Sequence, residues 1–127
     1  MEATWFQSTG TIEYGPGIRV VVAVERGIVE FYRALIPKSI TVKPQKYGAH
    51  VSVVRVWEKP TKMEVWEKHN GLKVQFEYEP VVHNDDKYYW LNVRCSKIEE
   101  IREELGLTRY VSWHNGYHIT IGNVKDV

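Results

Sequence analysis

Apolar and polar positions alternate along several short stretches of the chain, while another stretch follows a helical period. Leu72, Val74, Phe76 and Tyr78 alternate with Lys, Gln and Glu, which predicts a strand with one buried face. Between positions 28 and 36 the apolar residues fall at i, i+3, i+4, i+7 and i+8, and Pro37 follows. This spacing predicts a helix with one apolar stripe, formed by Ile28, Phe31, Tyr32, Leu35 and Ile36.

The remaining segments predict further strands and two further helices. Capping-box patterns at Thr61-x-x-Glu64 and Ser96-x-x-Glu99 each open a helix, and the second turns Ile98, Ile101 and Leu105 inward before it ends at Gly106. Strands are predicted over 9–14, 18–24, 50–57, 72–79, 88–94, 109–113 and 117–123. The resulting order is β-β-α-β-α-β-β-α-β-β, which lacks strict βαβ alternation and predicts an α+β fold with a largely antiparallel sheet.

Composition narrows the class of protein. The 127 residues fit one domain, 1–127, and are 43% hydrophobic. Lys and Arg total 17 against 16 Asp and Glu, a balance that disfavours coating of long nucleic acid and leaves room for a small anionic ligand. The single Cys95 excludes an internal disulfide and a cysteine-based zinc site. We expect no membrane span and no signal peptide, and a cytoplasmic location.

Two four-residue segments share one pattern of histidine, apolar residue, hydroxyl residue and apolar residue. They are His50-Val51-Ser52-Val53 and His118-Ile119-Thr120-Ile121, and each falls within a predicted strand. The two-residue period of a strand places His50 with Ser52 on one face, and His118 with Thr120 on one face of theirs. The apolar residues point the other way, into a core.

This pairing of side chains suits acid–base chemistry at phosphorus. Imidazole titrates near neutrality, so that one histidine can accept a proton while the other donates one. The hydroxyls of Ser52 and Thr120 can donate hydrogen bonds to non-bridging phosphate oxygens. Neither role requires a metal or another cofactor.

Paired His-x-Ser/Thr motifs, one in each half of a small α+β chain, resemble those of the 2H phosphoesterase superfamily, which includes LigT-like proteins. The motifs lie 68 residues apart, and the resemblance covers most of the chain. It is greatest to the small phage branch, which includes anti-CBASS phosphodiesterases that cleave cyclic oligonucleotide messengers. The resemblance implies two antiparallel half-lobes related by pseudo-two-fold symmetry around a central cleft, with helices on the outside.

The resemblance also implies catalytic roles. His50 and His118 would be the acid and the base, in an order left open, and Ser52 and Thr120 would bind the phosphate. Ser52 stands where the family more often has Thr. Only seven residues follow Thr120, so that any lid over the cleft must come from another segment. The implied location is cytoplasmic, in the host if the protein is viral.

Several functions remain open at this point. A cyclic oligonucleotide is favoured as substrate, and an RNA end with a 2′,3′-cyclic phosphate or a 2′–5′ linkage is the alternative. Two alternatives to an enzyme are also open. The protein could bind nucleotides without catalysis, or it could be a structural protein whose motifs are coincidental. The oligomeric state is open.

Residues outside the motifs carry weaker predictions. Tyr14 is a candidate for stacking on a base, and a core position is equally expected for it. Lys46, with Lys43, precedes His50 and is a candidate for phosphate binding, against the alternative of a solvated loop. His83 is predicted in a polar loop with Asp85 and Asp86, where a solvated loop is favoured over a metal site.

The other histidines and the cysteine are expected to be structural or peripheral. His69 is placed at a helix end, where a cation is electrostatically favoured. His114 is a possible neighbour of the substrate. Cys95 is expected to be an inert, small apolar residue at a strand end.

Overall fold

The computed structural model describes residues 4–15, 17, 19–44, 48–55, 57–109 and 116–124. Within these ranges the chain forms one α+β domain in which six antiparallel strands close into a barrel. The elements are β1 (Phe6–Tyr14), β2 (Val20–Ala23), α1 (Arg26–Ala34), β3 (His50–Val54), a short 3₁₀ turn (Met63–Val65), β4 (Lys73–Asn84), β5 (Tyr88–Arg94), α2 (Ser96–Glu104) and β6 (Tyr117–Asn123). The predicted α+β class and antiparallel sheet are therefore confirmed. Among the described residues, no helix is both long and apolar enough to cross a membrane.

One row of paired apolar residues runs across neighbouring strands and points into the interior of the barrel. The strands follow the order β1-β2-β3-β6-β5-β4, and the register aligns residues of five neighbouring strands. All five side chains have 0% exposure: Ile12, Val22, Val51, Ile119 and Leu91. Burial of each contributes about 1.5–3 kcal/mol. Because side chains alternate between faces, the neighbours of Val51 and Ile119 point to the outside of the barrel.

Strand β4 is longer than predicted. It continues through Pro80 to His83 and Asn84, so the prediction that a polar loop begins at His83 is wrong. The register with β5 shifts between Tyr78 and Val82, and such an irregularity admits a proline that cannot donate to the ladder. The turn falls later, where the Asp85 carboxylate accepts the backbone N–H groups of residues 87 and 88.

The first helix buries only part of the predicted stripe, because Tyr32 is buried and Ile28 and Ile36 pack against the core. Val29 and Tyr32 of α1 are buried, whereas Phe31 and Leu35 are 59% and 61% exposed. The helix ends at Ala34, so that the predicted continuation through Ile36 is wrong. The face that packs on the barrel is centred on Val29 and Tyr32, at i and i+3.

Of the two other predicted helices, one is confirmed and one is wrong. Ile98, Ile101 and Leu105 are buried along α2, and Gly106 follows the helix with a φ of 80°, as predicted. The predicted helix at Thr61-x-x-Glu64 is only the 3₁₀ turn, without a side-chain cap. Tertiary contacts override the local pattern there, because the backbone N–H of Thr61 donates to the carbonyl of Leu105. The Ser96-x-x-Glu99 capping box is also absent, since Cys95 occupies the N-cap position.

The predicted strand over 109–113 falls almost wholly outside the described residues. Of these positions only Arg109 is described, and it lies in no strand. Arg109 pairs instead with Glu103 on the surface of α2.

A buried arginine fixes α2 to the end of β3. Arg102 is fully buried, and its guanidinium donates to both carboxylate oxygens of Glu58, at 2.9 and 2.6 Å. It also donates to the carbonyls of Val53 and Thr108, each at 2.7 Å. Burial by itself would raise the pKa of the Glu58 carboxyl, but the hydrogen bonds and charge of Arg102 hold it below its usual range. The stabilisation from Glu58 is therefore present above the pKa of the unfolded carboxyl and is lost as the pH falls through the folded value.

We predict that Arg102→Leu lowers the free energy of unfolding by about 3–5 kcal/mol, because it removes the fully buried guanidinium and leaves the partly buried carboxylate of Glu58 without its cation. Arg109→Leu is the matched control, since Arg109 is 59% exposed in its pairs with Glu99 and Glu103. It should cost at most about 1 kcal/mol. Urea unfolding of both variants measures the difference. Equal losses would show that Arg102 does not anchor the helix.

Candidate active site

The pairing of β3 with β6 brings the two motifs together. Val51 lies opposite Ile119 in an antiparallel pair. Continuing this register by one residue in each direction places His50 opposite Thr120 and Ser52 opposite His118. Side chains directly opposite in such a pair have Cβ atoms roughly 4.5–5.5 Å apart, and diagonal neighbours are roughly 7–8 Å apart. The two imidazoles therefore lie on one diagonal of a four-residue cluster.

All four motif side chains lie on the outer face of the barrel. His50, Ser52, His118 and Thr120 are each partly buried, while the apolar residues between them are fully buried. The prediction that each motif divides between a polar face and a core face is confirmed. Beyond Thr120 this face is covered, because Val42 packs where a side chain on Gly122 would lie.

The strands that flank the cluster differ in chemistry. On one side, β2 places Ala23 beside His50 and Val21 beside Ser52. On the other side, β5 places Trp90 beside Thr120 and Asn92 beside His118. The two motifs are alike, but the side chains beside them differ. Those of β2 are small and apolar, whereas those of β5 are aromatic and polar.

The surroundings of His50 favour the neutral form of its imidazole. Its Nδ1 lies 2.6 Å from the carbonyl oxygen of Gly48, to which it donates a hydrogen bond. The proton on Nδ1 leaves Nε2 with its lone pair in the neutral ring. Burial lowers the pKa of His50; the Gly48 hydrogen bond opposes this, and the positive charges of Arg19 and Arg55 lower it further. The neutral form is thus favoured near pH 7.

Arg19 and Arg55 are site residues that the sequence did not single out. Arg19 immediately precedes β2, and Arg55 immediately follows β3. The guanidinium of Arg55 also lies 5.3 Å from the ring centroid of Trp57, and its Nε is buried without a hydrogen-bond partner among the described residues. The pairing of β2 with β3 brings Arg19 to the same end of the strand pair as Arg55, beyond Ser52, and from there both charges act on His50.

A network of polar and aromatic side chains surrounds His118. The Trp90 ring meets His118 edge to face, with centroids 5.8 Å apart, and its Nε1 donates to Asn92 Oδ1 at 3.1 Å. Trp90 is also stacked beside His83 at 6.2 Å. The Glu79 carboxylate lies 2.7 Å from His83 Nε2 and 3.5 Å from Asn92 Nδ2. The sequence did not predict this network, because the irregularity in β4 decides which residues face β5.

A cavity of about 400 Å³ opens beside His118 on the outer face of β5. Its walls include two indoles and four polar or charged side chains, namely Trp5, Trp90, Asn92, Arg94, Glu99 and His118. The volume lies within the usual range for small-molecule sites, about 300–1,000 Å³. The cavity therefore adjoins the four-residue cluster and shares His118 with it.

The structure does not bring Tyr14 to the motif face. Tyr14 lies two residues from Ile12 along β1, on the face that turns inward, and its ring meets that of Trp66 at 5.3 Å. Burial raises the pKa of its hydroxyl. This position agrees with the core alternative. Lys46 lies outside the described residues, and the backbone of Lys43 pairs with that of Asn123.

The remaining histidines and Cys95 lie in separate environments. His69 lies in a turn, where its Nε2 is 2.9 Å from Glu104 Oε2. Cys95 is buried directly after β5, its thiol donates to the carbonyl of Gln75, and burial raises its pKa. His114 lies outside the described residues. Across the described ranges, no group of three histidine, cysteine or acidic residues is arranged to hold a metal ion, and His83 pairs with Glu79 instead of with Asp85 or Asp86.

Comparison with known proteins gives no relative for this chain. No protein-family model matches it, and neither a curated protein nor a solved structure does. Functional inference therefore rests on the geometry of the residues above.

We predict that the pKa of His50 is below 6.5 and rises in Arg19→Gln and in Arg55→Gln, because each change removes a positive charge that disfavours the imidazolium. NMR titration of the imidazole signals measures it. Arg26→Gln is the control, since Arg26 is 87% exposed on α1 and pairs with Glu30. A His50 pKa that stays fixed in both test variants would contradict the electrostatic interpretation.

Proposed function

We propose that this protein is a metal-independent phosphodiesterase of the 2H type that acts on small RNA-like phosphodiesters. The observation that carries the proposal is the β3–β6 pairing, which gathers two imidazoles and two hydroxyls on one outer face. Structural histidines and hydroxyls have no need to converge in this way from segments 68 residues apart. A phosphate group placed over the cluster would meet all four side chains.

We further propose that the two halves are related by a pseudo-two-fold axis at the β3–β6 seam. The order β-β-α-β occurs twice, as β1-β2-α1-β3 and as β4-β5-α2-β6. Exchanging the halves converts the barrel order β1-β2-β3-β6-β5-β4 into its own reverse. The motifs occupy the equivalent strands β3 and β6, which supports the resemblance to the 2H superfamily. The substrate cleft would then be the outer surface along this seam.

In the proposed mechanism, His50 is the base and His118 is the acid. The Nε2 lone pair of His50 takes the proton of the nucleophile, which is a ribose hydroxyl next to the phosphate or a water molecule. The nucleophile's oxygen bonds to phosphorus as the bond to the leaving oxygen breaks. Protonated His118 gives its proton to that oxygen. Ser52 and Thr120 donate hydrogen bonds to the non-bridging oxygens, where charge builds in the transition state.

A small cyclic oligonucleotide is the favoured substrate. The net charge of +1 disfavours long RNA as the substrate, whereas Arg19 and Arg55 supply local positive charge that acts on His50. The buried thiol of Cys95 is compatible with the reducing cytoplasm, where we place the enzyme.

We predict that His50→Gln and His118→Gln each lower turnover by at least about 10²-fold, because each removes one of the two proton-transfer groups. Ser52→Ala and Thr120→Val should each lower it by about 10²-fold, through loss of a donor to the phosphate. The assay follows hydrolysis of cyclic di- and trinucleotides, beside RNA ending in a 2′,3′-cyclic phosphate, with EDTA present.

His69→Gln is the matched control, because His69 pairs with Glu104 away from the motif face. It should keep full turnover. Full activity in both motif-histidine variants would refute the site. Cleavage of the RNA end alone would replace the cyclic substrate with RNA processing. Inhibition by EDTA would contradict metal independence.

A further inference from the structure

We propose that the cavity beside His118 is a nucleobase subsite in which Trp90 provides the stacking surface. This inference rests on the proposed function, because it names the part of the substrate that the cavity would hold. The four motif residues account for a phosphate group, yet of these only His118 reaches the cavity. A space of about 400 Å³ directly beside the acid would otherwise have no role in the reaction.

The walls of the cavity suit a flat aromatic ring. Trp5 and Trp90 both line it, and aromatic side chains are the usual platforms on which bases stack in single-stranded nucleic-acid sites. Trp90 is also held in place before any ligand binds, by its hydrogen bond to Asn92 and its ring contacts with His83 and His118. A platform that is already ordered loses little conformational entropy on binding.

The charges of the cavity favour an uncharged ring over a second phosphate. Arg94 lines the cavity, but its Nε lies 2.9 Å from Glu77 Oε1 and its guanidinium lies 4.2 Å from the Trp5 ring centroid. The carboxylate of Glu99, which pairs with Arg109, adds negative charge to the same wall. The cavity thus offers stacking surface and polar edges, and its arginine is already engaged by Glu77 and Trp5.

Positive charge lies on the β2–β3 side of the cluster. Arg19, just before β2, and Arg55, just after β3, lie at the end of this strand pair beyond Ser52, and their charges suit the next phosphate of an oligonucleotide. The substrate would therefore lie across the β3–β6 seam in one direction. The nucleobase on the leaving-group side of the scissile phosphate would enter the cavity beside His118. The following phosphate would lie towards Arg19 and Arg55.

Binding can be tested without turnover. Adenosine and guanosine, which carry no phosphate, are titrated into the protein while the indole N–H signals of the five tryptophans are followed by NMR. We expect the Trp90 signal, assigned through Trp90→Phe, to shift saturably. The signal of Trp57, which is 66% exposed and lies outside the cavity, should stay fixed. A Trp90 signal that does not respond to either nucleoside would overturn the subsite.

Steady-state kinetics give an independent test. KM and kcat are measured for the cyclic oligonucleotide that the unmodified protein hydrolyses fastest. Trp90→Leu should raise KM about tenfold or more, a larger effect than any on kcat, since the aromatic face is lost but both proton-transfer histidines remain. Trp90→Phe keeps a stacking face while losing the same Asn92 hydrogen bond, so it should retain most of the affinity. Equal effects of the two substitutions would show that Trp90 acts through Asn92 or through packing, and would refute stacking.

The two proposals fail separately in these experiments. Hydrolysis that persists with normal KM in Trp90→Leu would reject the subsite and leave the phosphodiesterase proposal intact. A nucleoside-dependent shift of Trp90 in a protein that cleaves no phosphodiester would reject the phosphodiesterase and support the cavity as a nucleobase site.

Discussion

The antiparallel pairing of β3 with β6 is the constraint on which the candidate site depends. It aligns Val51 with Ile119 and thereby turns the histidines and hydroxyls of both motifs outward together. A slip of one residue in either strand would turn one motif into the core, because strand side chains alternate between faces. The buried row across the barrel opposes such a slip. Arg102 adds a second restraint, because it binds the carbonyl of Val53 in β3 itself.

The two halves of the chain use the same order of elements but give the two histidines different surroundings. His50 has a carbonyl on Nδ1 and positive charges nearby, which favour the neutral ring that a base requires. His118 stands beside Trp90 and Asn92 at the mouth of a cavity. If the proposed function holds, residues of the adjacent strands would give the two similar motifs their different roles, as proton acceptor and proton donor and in phosphate and nucleobase binding.

The sequence predicted those features that depend on short-range periodicity. The faces of the two motifs, the extent of β5 and β6, and the apolar face of α2 all followed from two- or four-residue spacing. Features that depend on pairing were missed. Arg19 lies at the same end of the strand pair as Arg55 because β2 pairs with β3, and Glu79 reaches Asn92 through the irregularity of β4 around Pro80.

Local helix signals were overridden for a related reason. The capping pattern at Thr61 gives only a 3₁₀ turn, because the Thr61 backbone is bonded to the end of α2. In α1 the apolar spacing was real, but Phe31 and Leu35 remained exposed, since the barrel contacts the face that contains Val29 and Tyr32. Periodicity identified the helix, whereas its orientation was set by the partner surface.

The most direct test of a shared site is to follow the imidazole nitrogens of His50 and His118 by NMR while a hydrolysis-resistant phosphorothioate dinucleotide is titrated. Both residues should shift along one binding curve with a single Kd, and His69, which is paired with Glu104, should not respond. Two different binding curves, or a response from only one of the motif histidines, would show that the motifs do not form one phosphate site.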